Sequence, residues 1–280
     1  MPNCTKASLL IEVIKMEIGI NLHAIGGMTE ETYVKTMAEL GFTATFCMSK
    51  TKEEMERVSK LCAAENIRFD TLHAPFDHIN DIWLEGEGGQ RMLAELKDCV
   101  DQCLVVGAPI AVVHLSSKQN PPTITDIGRG RFEELVRYAQ QKGVKIAFEN
   151  QRKLFNLAWA METFTPADGV GFCWDCGHEN CFTPGLEFMP LFGDRLICTH
   201  IHDNTCTFNE DAHMLPFDGR IDFQNVARQI RRSGFDGVLM LEAIADASGH
   251  YTDMPPQKYL QQAADAAKRL VKMVEADSND

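Results

Sequence analysis

Short apolar, β-branched runs alternate with longer helical patterns along most of this chain, and that alternation constrains its fold more than any other feature. The runs are EIGINL (17–22), FTATFC (42–47), RFDTLH (68–73), IAVVH (110–114), VKIAFE (144–149), VGFCWD (170–175), ICTHIH (197–202) and GVLMLE (237–242). Between them, the capping sequence Thr29-Glu-Glu-Thr opens a helix that runs to Leu40. Further helices are expected over Lys52–Glu65, Glu87–Val106, Gly130–Lys142, Leu154–Thr163, Phe223–Ser233 and Pro256–Glu275. A repeated βα unit of this length requires right-handed crossovers and a parallel sheet. Eight such units close into a (β/α)8 TIM barrel, an α/β fold. With 280 residues and 45% apolar content, one barrel accounts for the chain, so a single domain is expected over 1–280. Residues 1–15 would be an N-terminal extension and 276–280 a polar tail.

Six of the runs end on a residue that can bind a metal or move a proton: His73, His114, Glu149, Asp175, His202 and Glu242. The C-terminal edge of a parallel barrel is where ligands sit, so six such endings point at one site. Side-chain alternation places Thr71 with His73, Val112 with His114, Ala147 with Glu149, Cys173 with Asp175, and Met240 with Glu242 on the inner face. Cys198, His200 and His202 share that face. Val113, Phe148, Ile197, Ile201 and Leu241 would face the helices.

Composition excludes several classes. A formal charge of −13 argues against nucleic acid as a partner, since phosphate binding draws on clustered Lys and Arg. No apolar stretch is long enough to span a bilayer, and the N-terminus lacks the pattern of a secretory signal, so a cytoplasmic location is expected. Of ten cysteines, Cys47, Cys99, Cys103, Cys173 and Cys198 lie in apolar patterns and are read as reduced core thiols. The pair Cys173 and Cys176 has redox or zinc-knuckle spacing, but no second such pair exists and packing is the expected role.

Glu149, Asp175, His202 and Glu242 make a hard, oxygen-rich set suited to one Mn²⁺, Mg²⁺, Co²⁺ or Zn²⁺ ion. Carboxylates crowded at one mouth repel one another, and a bound cation relieves that. His200 also points inward, with a role as support for the ligands or as a core histidine at least as well founded as direct contact. Arg152 and Lys153 follow Glu149 and suit either a phosphate or a solvated helix start. Trp83, Phe76 and Phe208 are candidates for an apolar wall at the mouth.

The motifs HAPF (73–76), VVHLSS (112–117), FEN (148–150), WDCGH (174–178), HIHDN (200–204), DAHMLPFDGRID (211–222) and LE (241–242) together resemble the xylose-isomerase-like TIM-barrel superfamily of sugar phosphate isomerases and epimerases. The resemblance runs from about Glu17 to Glu242. It implies that Glu149, Asp175, His202 and Glu242 hold one divalent ion and that Glu149 and Glu242 are the acid and base. It further implies that His178 contacts substrate, while His73, His114 and His213 shape the pocket. The reaction implied is isomerisation or epimerisation of a sugar or sugar phosphate through an enediolate that the cation stabilises. A dehydratase acting on a polyol uses the same proton abstraction. The endonuclease IV enzymes of the same superfamily bind three zinc ions, and their ligand pattern can be laid on the four residues above together with His73, His114, His178, Asp211 and His213. Against that rival stand the acidic charge and the lack of aromatic or Arg-rich insertions after the first two strands. A barrel that has lost catalysis and only binds is a third reading, although both glutamates are present. Homo-oligomerisation is open.

Overall fold

The computed structural model describes residues 16–23 and 25–276, so the expected extension 1–15, with Cys4, and the tail beyond Ala276 lie outside it. In chain order the elements are β1 (Ile18–Asn21), α1 (Glu30–Glu39), β2 (Ala44–Phe46), α2 (Lys52–Ala64), β3 (Arg68–Phe69), β4 (Thr71–His73), α3 (Glu87–Val106), β5 (Ile110–His114), α4 (Asp126–Lys142), β6 (Lys145–Glu149), α5 (Leu154–Thr163), β7 (Val170–Asp175), α6 (Cys176–Phe182), α7 (Met189–Phe192), β8 (Leu196–His200), α8 (Phe223–Ser233), β9 (Leu239–Leu241) and α9 (Pro256–Glu275).

All strand pairs are parallel, in the orders β3-β2-β1-β9 and β4-β5-β6-β7-β8. The two sheets join at both seams. At one, the His73 amide donates to the Cys47 carbonyl at 2.9 Å and Ser49 donates to His73 at 2.8 Å; at the other, Ile201 donates to Met240 at 2.8 Å and Glu242 to Ile201 at 3.0 Å. The result is a closed (β/α)8 barrel in which β3 and β4, interrupted only at Asp70, form one stave.

Local chemistry sets the helix starts. Thr29 caps α1, and Thr51 and Glu54 form a reciprocal capping box on α2. The helix expected from Gly130 begins four residues earlier, at Asp126, because Thr125 caps it by accepting from the Gly128 amide. Gly128 and Gly130 weaken the helical signal there, yet glycine is needed at 128, where a Cβ would overlap the Trp83 ring. Two helices went unforeseen, α6 and α7. Both are short, and CGHENCF carries no apolar period.

Inside the barrel, Ile110, Val112, Ala147, Cys173 and Cys198 pack as one layer, with Ala44, Phe46, Val238 and Met240 beside it. Val113, Phe148, Ile201 and Leu241 face the helices, but Ile197 packs against the inner layer. A register shift between Phe172 and Cys173, which pair with Leu196 and Cys198, turns Ile197 away from the face that simple alternation gives it. Trp83 is also not where an aromatic wall would require it. A 3-10 turn over Ile79–Trp83 buries it completely against Phe132 and Trp159, with Nε1 donating to the Leu115 carbonyl at 2.7 Å. Among the described residues, no helix is long and apolar enough to cross a membrane.

Candidate metal and active site

The ends of β4 to β9 converge on Glu149. Its Oε2 lies 3.1 Å from His73 Nε2 and 2.9 Å from His114 Nε2, while Oε1 lies 3.1 Å from His178 Nδ1 and 3.5 Å from His200 Nδ1. His200 Nδ1 is also 3.1 Å from Glu242 Oε2, so its ring sits between the two glutamates. Phe46 stacks on that ring at 4.5 Å.

The geometry groups the candidate ligands differently from the expected set at one position. The donor atoms of Glu149, Asp175, His200 and Glu242 lie within 4.8 Å of one another, and His73, Glu149 and His200 form an overlapping group. His202 instead joins His178, Asp211 and His213. The reason is height along the strand: His200 is the last residue of β8, whereas His202 lies beyond it and reaches the mouth, where its Nε2 is 3.1 Å from Asp175 Oδ1. Asp175 thus stands between the two groups. Asp211 Oδ2 is 3.2 Å from both His178 Nε2 and His213 Nε2.

Other residues aim these side chains. Asn150 ties the end of β6 to β7, donating to the Asp175 carbonyl and accepting from its amide, both at 2.8 Å. Asp175 caps α6 by accepting from the His178 amide at 2.6 Å, which fixes one carboxylate oxygen and brings His178 under the mouth. His73 Nδ1 donates to the Ala74 carbonyl at 2.8 Å and His213 Nδ1 to the Glu242 carbonyl at 2.9 Å, leaving each Nε2 facing the site. The Gln151 carboxamide lies 3.2 Å from His114 and 3.0 Å from His178. Asn150 was passed over within FEN, and Gln151 carries no sequence signal beyond following it. Of the remaining candidates, Phe76 stacks on His114 at 4.4 Å and Arg152 lines the mouth, whereas Lys153 is the residue before α5 and Phe208 is 53% exposed outside the cavity.

Gly177 lies where a Cβ would overlap the His202 ring. Gly177→Ala is expected to push that imidazole off Asp175 and to weaken metal uptake at least about tenfold, as loss of ligand orientation does elsewhere. Titration with Zn²⁺ or Co²⁺ checks this, and wild-type affinity in the variant would disprove it.

The site is a network of buried charges. Burial works against the negative charge of Glu149, but the surrounding histidines, His114 and His200 foremost, outweigh it and hold the carboxyl well below its usual range. Burial also opposes the charge of Glu242, which His200 and His213 outweigh. At His178 and His200 burial favours the neutral ring, yet Asp175 and Asp211 at the first, and Glu242 and Glu149 at the second, keep the imidazolium well above its ordinary range. His114 is the exception, since burial there exceeds the pull of Glu149. Several buried atoms in this network, among them Glu149 Oε1, Glu242 Oε2, Asp211 Oδ1 and both nitrogens of His200, have no aligned hydrogen-bond partner. Convergent oxygens and imidazoles left unsatisfied at one point fit a cation.

Burial opposes the charge on His213 too, but Asp211 raises its pKa to about 9. The folded value lies above the unfolded one, near 6.5. This pairing therefore stabilises the metal-free protein fully below about pH 6.5 and is lost as pH rises through about 9. Melting temperatures of chelator-treated protein are expected to fall across that window; a flat profile would contradict the ion-paired arrangement.

The family model of the xylose isomerase-like TIM barrel matches residues 34–270. The chain belongs to that family. The chain is 31% identical over 192 residues to the uncharacterised protein y4fM of Sinorhizobium fredii, a match that covers 64% of this chain and 60% of the relative. The matches span less than two thirds of the length of the curated relatives. Among solved structures, D-psicose 3-epimerase from Clostridium cellulolyticum H10, determined with D-tagatose, is similar with a TM-score of 0.74 at 13% identity, covering 93% of this chain and 100% of that one. The IolI protein with a bound zinc atom is similar with a TM-score of 0.73 at 16% identity, covering 94% and 100%.

Proposed function

We propose that this xylose isomerase-like barrel is a divalent-cation-dependent sugar isomerase or epimerase that uses Glu149 and Glu242 as its proton-transfer pair. The observation that carries the reading is the position of these two carboxylates on either side of His200, at the base of an open cavity of about 340 Å3. Support comes also from the neighbours in fold that are named as D-psicose 3-epimerase and, from E. coli, 3-keto-D-glucoside 4-epimerase.

Glu149, Asp175, His200 and Glu242 would hold the cation, which when bound supplies positive charge to the carbonyl and adjacent hydroxyl of a sugar. His200, whose imidazolium Glu242 and Glu149 favour in the metal-free protein, must give up its proton to serve as a ligand. One glutamate then takes the proton from the carbon beside the carbonyl and the other returns one. His178 and His114 line the cavity within reach of substrate oxygens, and Gln151 holds both rings.

A second reading is favoured by one observation, the separate group of His178, His202, Asp211 and His213. It would add metal sites and make phosphodiester hydrolysis available, as in endonuclease IV enzymes. Elemental analysis of purified protein decides between them. About one metal per chain, with activity lost on chelation and recovered with Mn²⁺, Co²⁺, Mg²⁺ or Zn²⁺, is expected. About three zinc per chain, with cleavage of DNA at an abasic site, would replace the isomerase reading.

A further inference from the structure

We infer that the substrate of this site carries an anionic group, a phosphate or a carboxylate, and that Arg152 is the residue that selects for it. The inference rests on the isomerase reading and deepens it. Glu149 and Glu242 are engaged by the cation in that reading and Asp211 by His178 and His213, so an anionic group at the outer part of the cavity needs a cation of its own. Arg152 meets that need. Its guanidinium lies 3.4 Å over the Phe182 ring, and Phe182 in turn stacks on His178 at 4.7 Å, so the cation is fixed as the outer layer of a three-part stack. Its Nε donates to Asn209 Oδ1 at 3.4 Å; burial works against its charge and Asp211, beyond direct contact, favours it. The two terminal nitrogens are left to meet an anion in the paired geometry that guanidinium offers to carboxylate and phosphate oxygens.

Two more polar side chains line the same cavity. Ser117 lines it with a buried Oγ that has no hydrogen-bond partner, while its backbone is pinned by Asn80 at 2.9 and 2.8 Å. Next to it, Lys118 adopts a left-handed φ of 64° and also lines the cavity.

The test compares the metal-loaded protein with Arg152→Met and Arg152→Lys, each verified for equal metal content. For wild type, kcat/KM is expected to be at least about 100-fold higher for ketohexose phosphates or ketohexuronates than for neutral ketohexoses. Whichever anionic set is preferred identifies the group. Arg152→Met should raise KM for the anionic substrate more than tenfold and collapse that ratio, with Arg152→Lys recovering part of it. A wild type without preference, or a ratio unchanged in Arg152→Met, overturns the inference while leaving the isomerase reading intact. Titration with inorganic phosphate gives a readout independent of turnover: affinity at least tenfold weaker in Arg152→Met supports the anion subsite, and equal affinity removes it.

Discussion

Glu242→Gln is expected to lower turnover at least about a thousandfold while leaving the barrel folded, in the range that loss of a general acid or base produces. Glu242 lies just past the end of β9 with its side chain 15% exposed, so the carboxamide fits the same space and the inner layers are untouched. Glu149→Gln should be equally inactive but less stable. Its side chain is fully buried and faces four imidazoles, two of which, His178 and His200, are held as cations in the metal-free protein. Removing the anion at their centre leaves buried charge uncompensated, at a cost of about 3–5 kcal/mol. The pair of variants thus separates chemistry from stability. Solvent deuterium exchange into the carbon beside a ketose carbonyl reports the proton-transfer step, and thermal melting of metal-free protein reports the charge network. Net epimerisation or isomerisation at the wild-type rate in Glu242→Gln would end the two-glutamate mechanism, whereas exchange alone needs only the one base that remains.

The barrel was legible because its periodicity is plain: apolar runs of strand length, each ending in a polar residue, between helical stretches. The same alternation located Glu149, Asp175, His73 and His114 on one inner face. It failed where the backbone departs from a regular strand. Beyond His200 the chain leaves β8, so counting by twos, which put both His200 and His202 on the inner face, could not tell that the fold seats His200 between Glu149 and Glu242. Ile197 was misplaced by a register shift that has no signature in composition. Trp83 is a candidate for the mouth in sequence because aromatic residues in loops look alike there, and the 3-10 turn over Ile79–Trp83 shows it to be core. The residues that aim the ligands, such as Asn150 and Gln151, were invisible for a different reason: their partners are backbone groups and side chains brought together only by barrel closure.

Asp203 is the strongest case of that kind, and its replacement is the second large effect expected. The motif HIHDN places it directly after His202, but its carboxylate points into the loop that follows. Oδ1 accepts from the amides of Asn204 and Ile221 at 2.8 and 3.0 Å, and Oδ2 from those of Phe217 and Gly219 at 3.1 and 2.8 Å. One buried side chain therefore satisfies four backbone donors and folds 204–221, the segment that presents Asp211 and His213. Burial raises its pKa and the four amides work against that rise. Asp203→Ala should cost about 3 kcal/mol or more, since donors buried without an acceptor each carry a desolvation penalty of about 1–3 kcal/mol. For a chain of this size that is a fall in Tm of about 6 °C or more. Asp203→Asn should do little better, because an amide turns donors toward two of the backbone N–H groups. Asp222, which caps α8 through two amides at the surface, gives the contrast: Asp222→Ala should cost only about 1 kcal/mol. If Asp203→Ala melts no lower than Asp222→Ala, the loop is held by something other than this carboxylate. If it melts lower, then one acidic residue that faces away from the cavity keeps the segment bearing Asp211 and His213 in place.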